Sequence, residues 1–283
     1  MKLSSKKELD IAALRIRLGI IRAVSANHGG HVGGSMDLAE MLAVVYTDFM
    51  RINPKNPLAE DRDYMIFSKG HAGPALYATL ALKQMIPYEL LDNLNNENSR
   101  LPGHCDRNKV PGVDATTGSL GQGLSIACGV ALAAKNKNSD QRIFCVTGDG
   151  ESAEGQIWEA AQFAAHYQLD NLIMFLDWNG KQIDGTNDEV LALGDIVSKY
   201  ASFGWNSSCV QGDDVVAIQS AVKNAIVSPN KKPSAIILKT IKGRGAKCLE
   251  EMENNHCIGF PDDLKEKVLH DLYEQARLLG VEV

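Results

Sequence analysis

The chain contains no apolar run that reaches the roughly 20 residues a membrane-spanning helix requires. Positive charge is not in excess: 29 Lys and Arg stand against 35 Asp and Glu, a formal net charge of −6, so the basic footprint of a nucleic-acid binder is missing. The N-terminus, "MKLSSKKELDIAAL", passes from charges to a helical alternation and lacks the apolar core of a signal peptide. The six cysteines form no CxxC pair and no metal-type spacing. Cys128 and Cys145 sit among apolar residues, where a thiol behaves as a small hydrophobe. These absences point to a reduced, cytoplasmic protein. Repeats, low-complexity tracts and Pro/Ser linkers are also lacking, and one domain over residues 1–283 is expected.

What is present is an alternation of helical and strand patterns. Leu9, Ala13, Ile16, Ile20 and Val24 form one stripe, which predicts a helix over about 6–26. "NHGGHVGGS" breaks it, and Ser35 is the expected N-cap of a second helix running to Phe49. Further helices are expected over 72–86, 87–98, 119–135, 151–167, 213–227 and 261–280, and strands over 63–68, 142–148, 171–177 and 234–240. Apolar strands alternating with helices imply an α/β fold with a mostly parallel central sheet covered by helices on both faces. Ligands in such sheets bind beyond the carboxyl ends of the strands. Glycine-rich loops follow the expected strand ends: "SKGHAG", "GDG", "DWNGKQIDG" and "KGRG".

The turn Gly148-Asp149-Gly150 sets an aspartate between two glycines at the end of an apolar strand. Glycines allow a sharp turn and a close ligand, and the helix that follows offers N–H groups suited to phosphate. A carboxylate there would repel a bare phosphate unless a divalent cation lay between them. Mg²⁺ takes one or two protein oxygens plus phosphate oxygens. Asn179, at the end of the next strand, is placed to add a second oxygen, because neighbouring strand ends lie about 5 Å apart. The plainer reading is a tight turn and an ordinary loop residue. A dinucleotide site is a third reading, but G-x-G-x-x-G needs glycine at 153, which is Ala153, and Asp177 lies too far along for the ribose-binding acid. Of seven histidines, His28, His31, His71 and His104 sit beside glycine or proline in expected loops, where imidazole can donate to phosphate or move a proton. His166 and His270 fall in helical patterns and read as structural.

Five segments occur in order: "ANHGGHVGGSMDLAEML", "FSKGHAGPALYATLAL", "RLPGHCDRNKVPGVDATTGSLGQGLSIACGVALA", "GDGESAEGQIWEAAQFAAHYQLDNLIMFLDWNGKQIDG" and "LKTIKGRG". Together they resemble the N-terminal, diphosphate-binding domain of the transketolase family over roughly residues 8–260. The resemblance implies thiamine diphosphate held through Mg²⁺ or Ca²⁺, with Asp149, Asn179 and the backbone carbonyl of Lys181 as metal ligands. It places His71 and Gly150 at the diphosphate, and Gly118, Ser119 and Leu120 along the cofactor's rings. Ile183 matches an apolar residue packed by the cofactor. His31 and His104 match histidines that contact substrate hydroxyls and move protons, and Glu154 matches a glutamate near the subunit interface that links two active sites. A further family histidine follows the "KTIKGRG" segment, and His256 is the candidate for that role. The chain departs from the family in reading "GGHVGG" where "GHPG" is frequent, and in carrying Trp178 beside Asn179.

The same resemblance implies a second, pyrimidine-binding domain whose glutamate activates the cofactor. The chain therefore looks like the N-terminal subunit of a split transketolase, transferring a two-carbon ketol unit from a ketose phosphate to an aldose phosphate. A separate C-terminal subunit would complete it, and a twofold heterotetramer is expected. The helices over 119–135 and 151–167 are expected to meet a twofold partner. The alternatives are part of a related thiamine diphosphate enzyme, such as a 2-oxoacid dehydrogenase or deoxyxylulose-phosphate synthase, and a non-catalytic binding subunit. "SKGHAGPALYATL" and "TTGSLGQG" favour the transketolase side.

Overall fold

A computed structural model describes residues 3–283. Its frame is a five-stranded, all-parallel sheet of order β2-β3-β4-β8-β7. The strands are β2 (Tyr64–Phe67), β3 (Ile143–Gly148), β4 (Leu172–Trp178), β7 (Asn206–Gln211) and β8 (Ser234–Lys239). Two small antiparallel ladders stand apart from it: β1 (Gly29–Gly30) pairs with β9 (Ile258–Gly259), and β5 (Lys181–Gln182) with β6 (Gly185–Thr186). Thus the expected strands over 63–68, 142–148, 171–177 and 234–240 are all present.

Strand side chains alternate between two apolar layers, as a parallel sheet covered on both faces requires. Phe67, Phe144, Val146, Phe175 and Leu238 enter one core, while Ile66, Cys145, Met174, Leu176 and Ile237 enter the other. The first layer is closed by α1 (Lys6–Ala26), α3 (Ala39–Val44), α4 (Gly73–Leu82), α9 (Val215–Val227) and α11 (Asp262–Leu279). The second is closed by α5 (Gln122–Asn136), α6 (Gly155–His166) and α8 (Ile196–Ser202). The remaining short helices are α2 (Gly33–Met36), α7 (Asn187–Leu191) and α10 (Lys247–Glu250). Helix α1 begins at a capping box, in which the Ser5 side chain accepts from the Glu8 amide while the Glu8 carboxylate accepts from the Ser5 amide.

Several expected boundaries shift, each for a local reason. Ser35 is not an N-cap: it lies within α2, and its hydroxyl donates to the His31 carbonyl at 2.6 Å. The helix expected to reach Phe49 is broken into α2, α3 and a π turn over Val45–Phe49. Residues 87–98 form only a 3-10 stretch, Tyr88–Asn93, because Asn95 and Asn98 take left-handed backbone angles (φ +54° and +61°) that an α-helix excludes. The helix expected from 119 starts at Gln122, after Gly121 at φ +82°, which leaves Gly118, Ser119 and Leu120 as loop. The helix expected from 151 opens as a 3-10 turn, Gly150–Ala153, before α6. The sequence patterns predict neither strand β7 nor helix α8. Strand β7 is a polar edge strand, "NSSCVQ", with no buried residue in its pattern, so it carries no alternating apolar signal.

Candidate active site

Strand ends β2, β3, β4 and β8 all point to one side of the sheet, and each is followed by one loop of the site. Gly148 pairs with Asp177 in register, and the Asp149 amide donates to the Asp177 carbonyl at 3.1 Å. The turn after β3 and the loop after β4 therefore lie side by side. The Asp149 carboxylate, 3% exposed, accepts from Gly150 N (2.8 Å), Gly180 N (2.7 Å) and Asn187 Nδ2 (2.8 Å). Burial, then the neighbouring charge of Asp177, pushes its pKa up.

The loop after β4 carries Asn179. Its Nδ2 donates to Asp177 Oδ2 (2.9 Å) and to Asp37 Oδ2 (3.1 Å). Asp177 Oδ2 accepts from both the Lys69 ammonium and the Asn179 carboxamide nitrogen. The Asn179 oxygen lies on the other side, accepting from Lys181 N at 3.0 Å. The Lys181 carbonyl in turn accepts from Lys242 Nζ at 3.1 Å.

A cavity of about 290 Å³ lies over these loops, lined by Asp149, Gly150, Asn179, Lys181, Ile183 and, from the other side, Gly118, Leu120 and the histidines. Four imidazoles meet there. Ring centroids of His31 lie 5.4 Å from His71, 5.2 Å from His104 and 5.3 Å from His256, and His71 lies 4.7 Å from His256. His31 is brought in by the break after α1, His71 by the loop after β2, and His104 by the long loop before α5. His256 is far away in sequence. It arrives through the β1–β9 ladder, which pairs Gly30 with Ile258 and Gly29 with Gly259. A Cβ on Gly29 would lie 2.7 Å from the Ile258 carbonyl oxygen, so glycine permits that close approach.

Burial, then the neighbouring His104 imidazole and the Lys242 side chain, lowers the pKa of His31 to about 4. Burial and then Lys242 lower that of His256 to about 3. His71 is also pushed well below its ordinary value by burial and then Lys69. These three rings are neutral at pH 7, each with one donor and one acceptor nitrogen.

Three expected residues, His28, Ser119 and Glu154, are not part of the cavity. Ser119 is exposed in the loop before α5 and is not among the lining residues, and Glu154 is exposed as the cap of α6. Ile183 does line the cavity but is 62% exposed, an apolar side chain at the open rim.

The structure also adds groups that the sequence motifs do not single out. Lys69 and Lys242 line the cavity. Lys69 donates to Asp177, and although burial opposes its charge, the attraction of Asp177 and Asp37 outweighs this and raises its pKa. Lys242 reaches Lys181 O and His256 Nδ1 (3.1 Å each), and burial, then Lys69, lowers its pKa. Glu151, 2% exposed, accepts from the Ser68 hydroxyl, from Gly121 N (2.7 Å) and from Gly148 N (2.9 Å), tying three loops together. Both lysines stand inside the segments "SKGH" and "TIKGRG", where a lysine beside glycine reads as a solvated loop residue.

The set of Asp149 carboxylate, Asn179 carboxamide oxygen and Lys181 carbonyl is all hard oxygen, the chemistry that Mg²⁺ or Ca²⁺ takes. One positive group, the Lys242 ammonium, is already drawn to the Lys181 oxygen. The residues thus fit a divalent cation, and the neighbouring lysines and imidazoles supply donors to an anion beside it.

Residues 9–272 match the model of the family described as transketolase, thiamine diphosphate binding domain. The chain belongs to the transketolase family. It is 46% identical over 247 residues to the 6-deoxy-6-sulfo-D-fructose transketolase subunit of Clostridium sp. (strain MSTE9), covering 87% of this chain and 90% of the relative. It is 37% identical over 275 residues to an apulose-4-phosphate transketolase subunit of Phocaeicola vulgatus, covering 97% of each. The transketolase structure from Campylobacter jejuni superposes with a TM-score of 0.86 at 30% identity, covering all of this chain and 44% of that one. The chain thus spans less than half the length of that full transketolase, and nearly the whole length of the two subunits. Among the described residues no helix is long and apolar enough to cross a membrane.

Proposed function

We propose that the chain is the diphosphate-binding subunit of a two-chain transketolase, which moves a two-carbon ketol unit between a ketose and an aldose that carry an anionic tail. Two features support this reading: its likeness to transketolase subunits along nearly its full length, and one observation of the site. In that site, four histidines from distant loops face an oxygen trio and two lysines across a single cavity. The chemistry that thiamine diphosphate supplies when bound is stabilisation of the carbanion left by C–C cleavage beside a ketose carbonyl.

The chain's own residues bind and orient. Asp149, Asn179 and the Lys181 carbonyl hold Mg²⁺ or Ca²⁺, and His71, Lys69, Lys242 and the Gly150 backbone receive the diphosphate. Gly118 and Leu120 flank the rings, and Ile183 closes the rim. His31, His104 and His256 face the sugar; a neutral imidazole takes a hydroxyl proton in one half-reaction and returns it in the other. His31 and His104 also line a second, larger groove of about 740 Å³. Among the described residues no lysine or arginine lines that groove, and we assign the cations for the substrate's phosphate or sulfonate tail to the second subunit. That subunit carries the pyrimidine-binding domain and the activating glutamate, and Glu154, exposed at the cap of α6, lies on the twofold interface of a heterotetramer in the cytoplasm. The names of the two relatives matched along nearly their full length favour 6-deoxy-6-sulfo-D-fructose or apulose-4-phosphate over an ordinary pentose phosphate.

The test is reconstitution. The chain alone should show no ketol transfer, and addition of the second subunit should restore it, with the sulfonated and phosphorylated ketoses compared as donors. Full activity from the isolated chain would defeat the two-chain reading, and activity on pyruvate instead of a ketose would favour the 2-oxoacid dehydrogenase or synthase alternative.

A further inference from the structure

Asp37 is fully buried and lies at the break between α2 and α3, remote in sequence from every residue assigned to the cation. Its Oδ1 accepts from Gly243 N (2.7 Å) and Arg244 N (3.3 Å), in the loop after β8 that also carries Lys242. Its Oδ2 accepts from Asn179 Nδ2 (3.1 Å), which also donates to Asp177 Oδ2 (2.9 Å). Asp177 is already engaged: its carboxylate accepts from the Lys69 ammonium and from Thr240 Oγ1 (2.6 Å).

Two acceptors thus meet the two hydrogens of one carboxamide nitrogen. The Lys181 amide fixes the other end: a carboxamide rotated by half a turn would set its NH₂ against that N–H, another donor, and would withdraw its nitrogen from Asp37 and Asp177. We propose that Asp37 is a positioning residue for the metal centre: with Asp177 it fixes the rotation of Asn179, so that the oxygen, never the nitrogen, is presented on the cation side. This rests on the reading of Asp149, Asn179 and Lys181 as cation ligands. Outer hydrogen-bond partners of ligating side chains commonly change metal affinity by about 10–100-fold. Asp37 also anchors the Lys242–Gly243 turn, so one side chain sets the cation side and the diphosphate side of the cavity together.

The experiment uses the full chain purified with its second subunit, thiamine diphosphate in excess, and Mg²⁺ titrated while cofactor binding is followed by tryptophan fluorescence. Asp37→Asn keeps the volume and an acceptor for Gly243 N, but turns an NH₂ toward Asn179. Asp37→Ala removes both acceptor oxygens and adds no donor. Both should raise the Mg²⁺ concentration at half-saturation by about 10–100-fold, with the full fluorescence change regained at high Mg²⁺. In an Asn179→Ala background, Asp37→Asn should shift the Mg²⁺ half-saturation point far less than in the wild type, the remainder reporting its hold on the Lys242–Gly243 turn, and an undiminished shift overturns the proposal. A half-saturation point within twofold of wild type overturns the proposal. So does an amplitude that excess Mg²⁺ never restores, or failure of both variants to fold, since either marks a structural role. Absence of any metal-dependent cofactor binding in the wild type is a different failure, because it removes the cation reading itself.

Discussion

Lys242 Nζ lies 3.1 Å from both the Lys181 carbonyl oxygen and His256 Nδ1, so one ammonium joins the loop after β4 to the loop that carries the fourth histidine. It is also a cation held against an oxygen assigned to a metal. Lys242→Met should weaken thiamine diphosphate binding by roughly 10–100-fold, the worth of one charge-assisted hydrogen bond of about 1.5–3 kcal/mol. Calorimetric titration at fixed Mg²⁺ checks this, and an unchanged affinity would remove Lys242 from the diphosphate side.

Asp149→Ala should abolish metal-dependent cofactor binding. It should also destabilise the chain by about 2–4 kcal/mol, because Gly180 N and Asn187 Nδ2 lose a buried acceptor at a cost of about 1–3 kcal/mol each and water recovers part of it. Calorimetry with Mg²⁺ and thiamine diphosphate reads the first effect, and urea unfolding reads the second. Retained binding would contradict the assignment of Asp149 as a metal ligand.

Glu151 acts through backbone rather than ligand. Glu151→Gln keeps the shape but replaces one acceptor oxygen with a donor that faces either the Gly121 or the Gly148 amide. A loss of about 1–3 kcal/mol in folding stability is expected. Hydrogen exchange should rise together in the 68–72, 118–121 and 148–151 segments, and exchange confined to one of them would contradict the cross-link.

The histidine cluster gives stability a definite pH dependence. His31 and His256 titrate near 4 and 3 in the folded chain, below the ordinary 6.5, so the unfolded chain binds more protons between those values. Their contribution is complete above about pH 6.5 and declines as pH falls toward 4. The midpoint of thermal unfolding should therefore drop over that range, and His31→Gln should flatten the decline. An unfolding midpoint equally steep in the variant would show that other groups govern it.

The sheet is legible in the sequence because β3, β4 and β8 are apolar runs bounded by glycine turns, and both apolar layers draw on them. The edge strand β7 is not, since a polar strand with one open side has no periodic signal. In the site, Asp149, Asn179 and three of the histidines can be read from turns and ordered motifs. The place of His256 is harder to read because it is fixed by a two-residue ladder between Gly29–Gly30 and Ile258–Gly259, segments at opposite ends of the chain, which leaves no local pattern. Lys69, Lys242 and Asp37 escape the motifs for a related reason. A buried charge is legible only from its partners, and those lie on other loops.

The strands whose ends carry the site are sealed on both sides by apolar layers, while the residues that meet the ligand hang beyond those ends. Scaffold and chemistry are thereby uncoupled. The groove lined by His31 and His104 is bordered by loop residues such as Asn95, Asp106 and Thr116, which contribute nothing to either core. On the function proposed, exchange of these loop residues would alter sugar preference while both cores stay as they are.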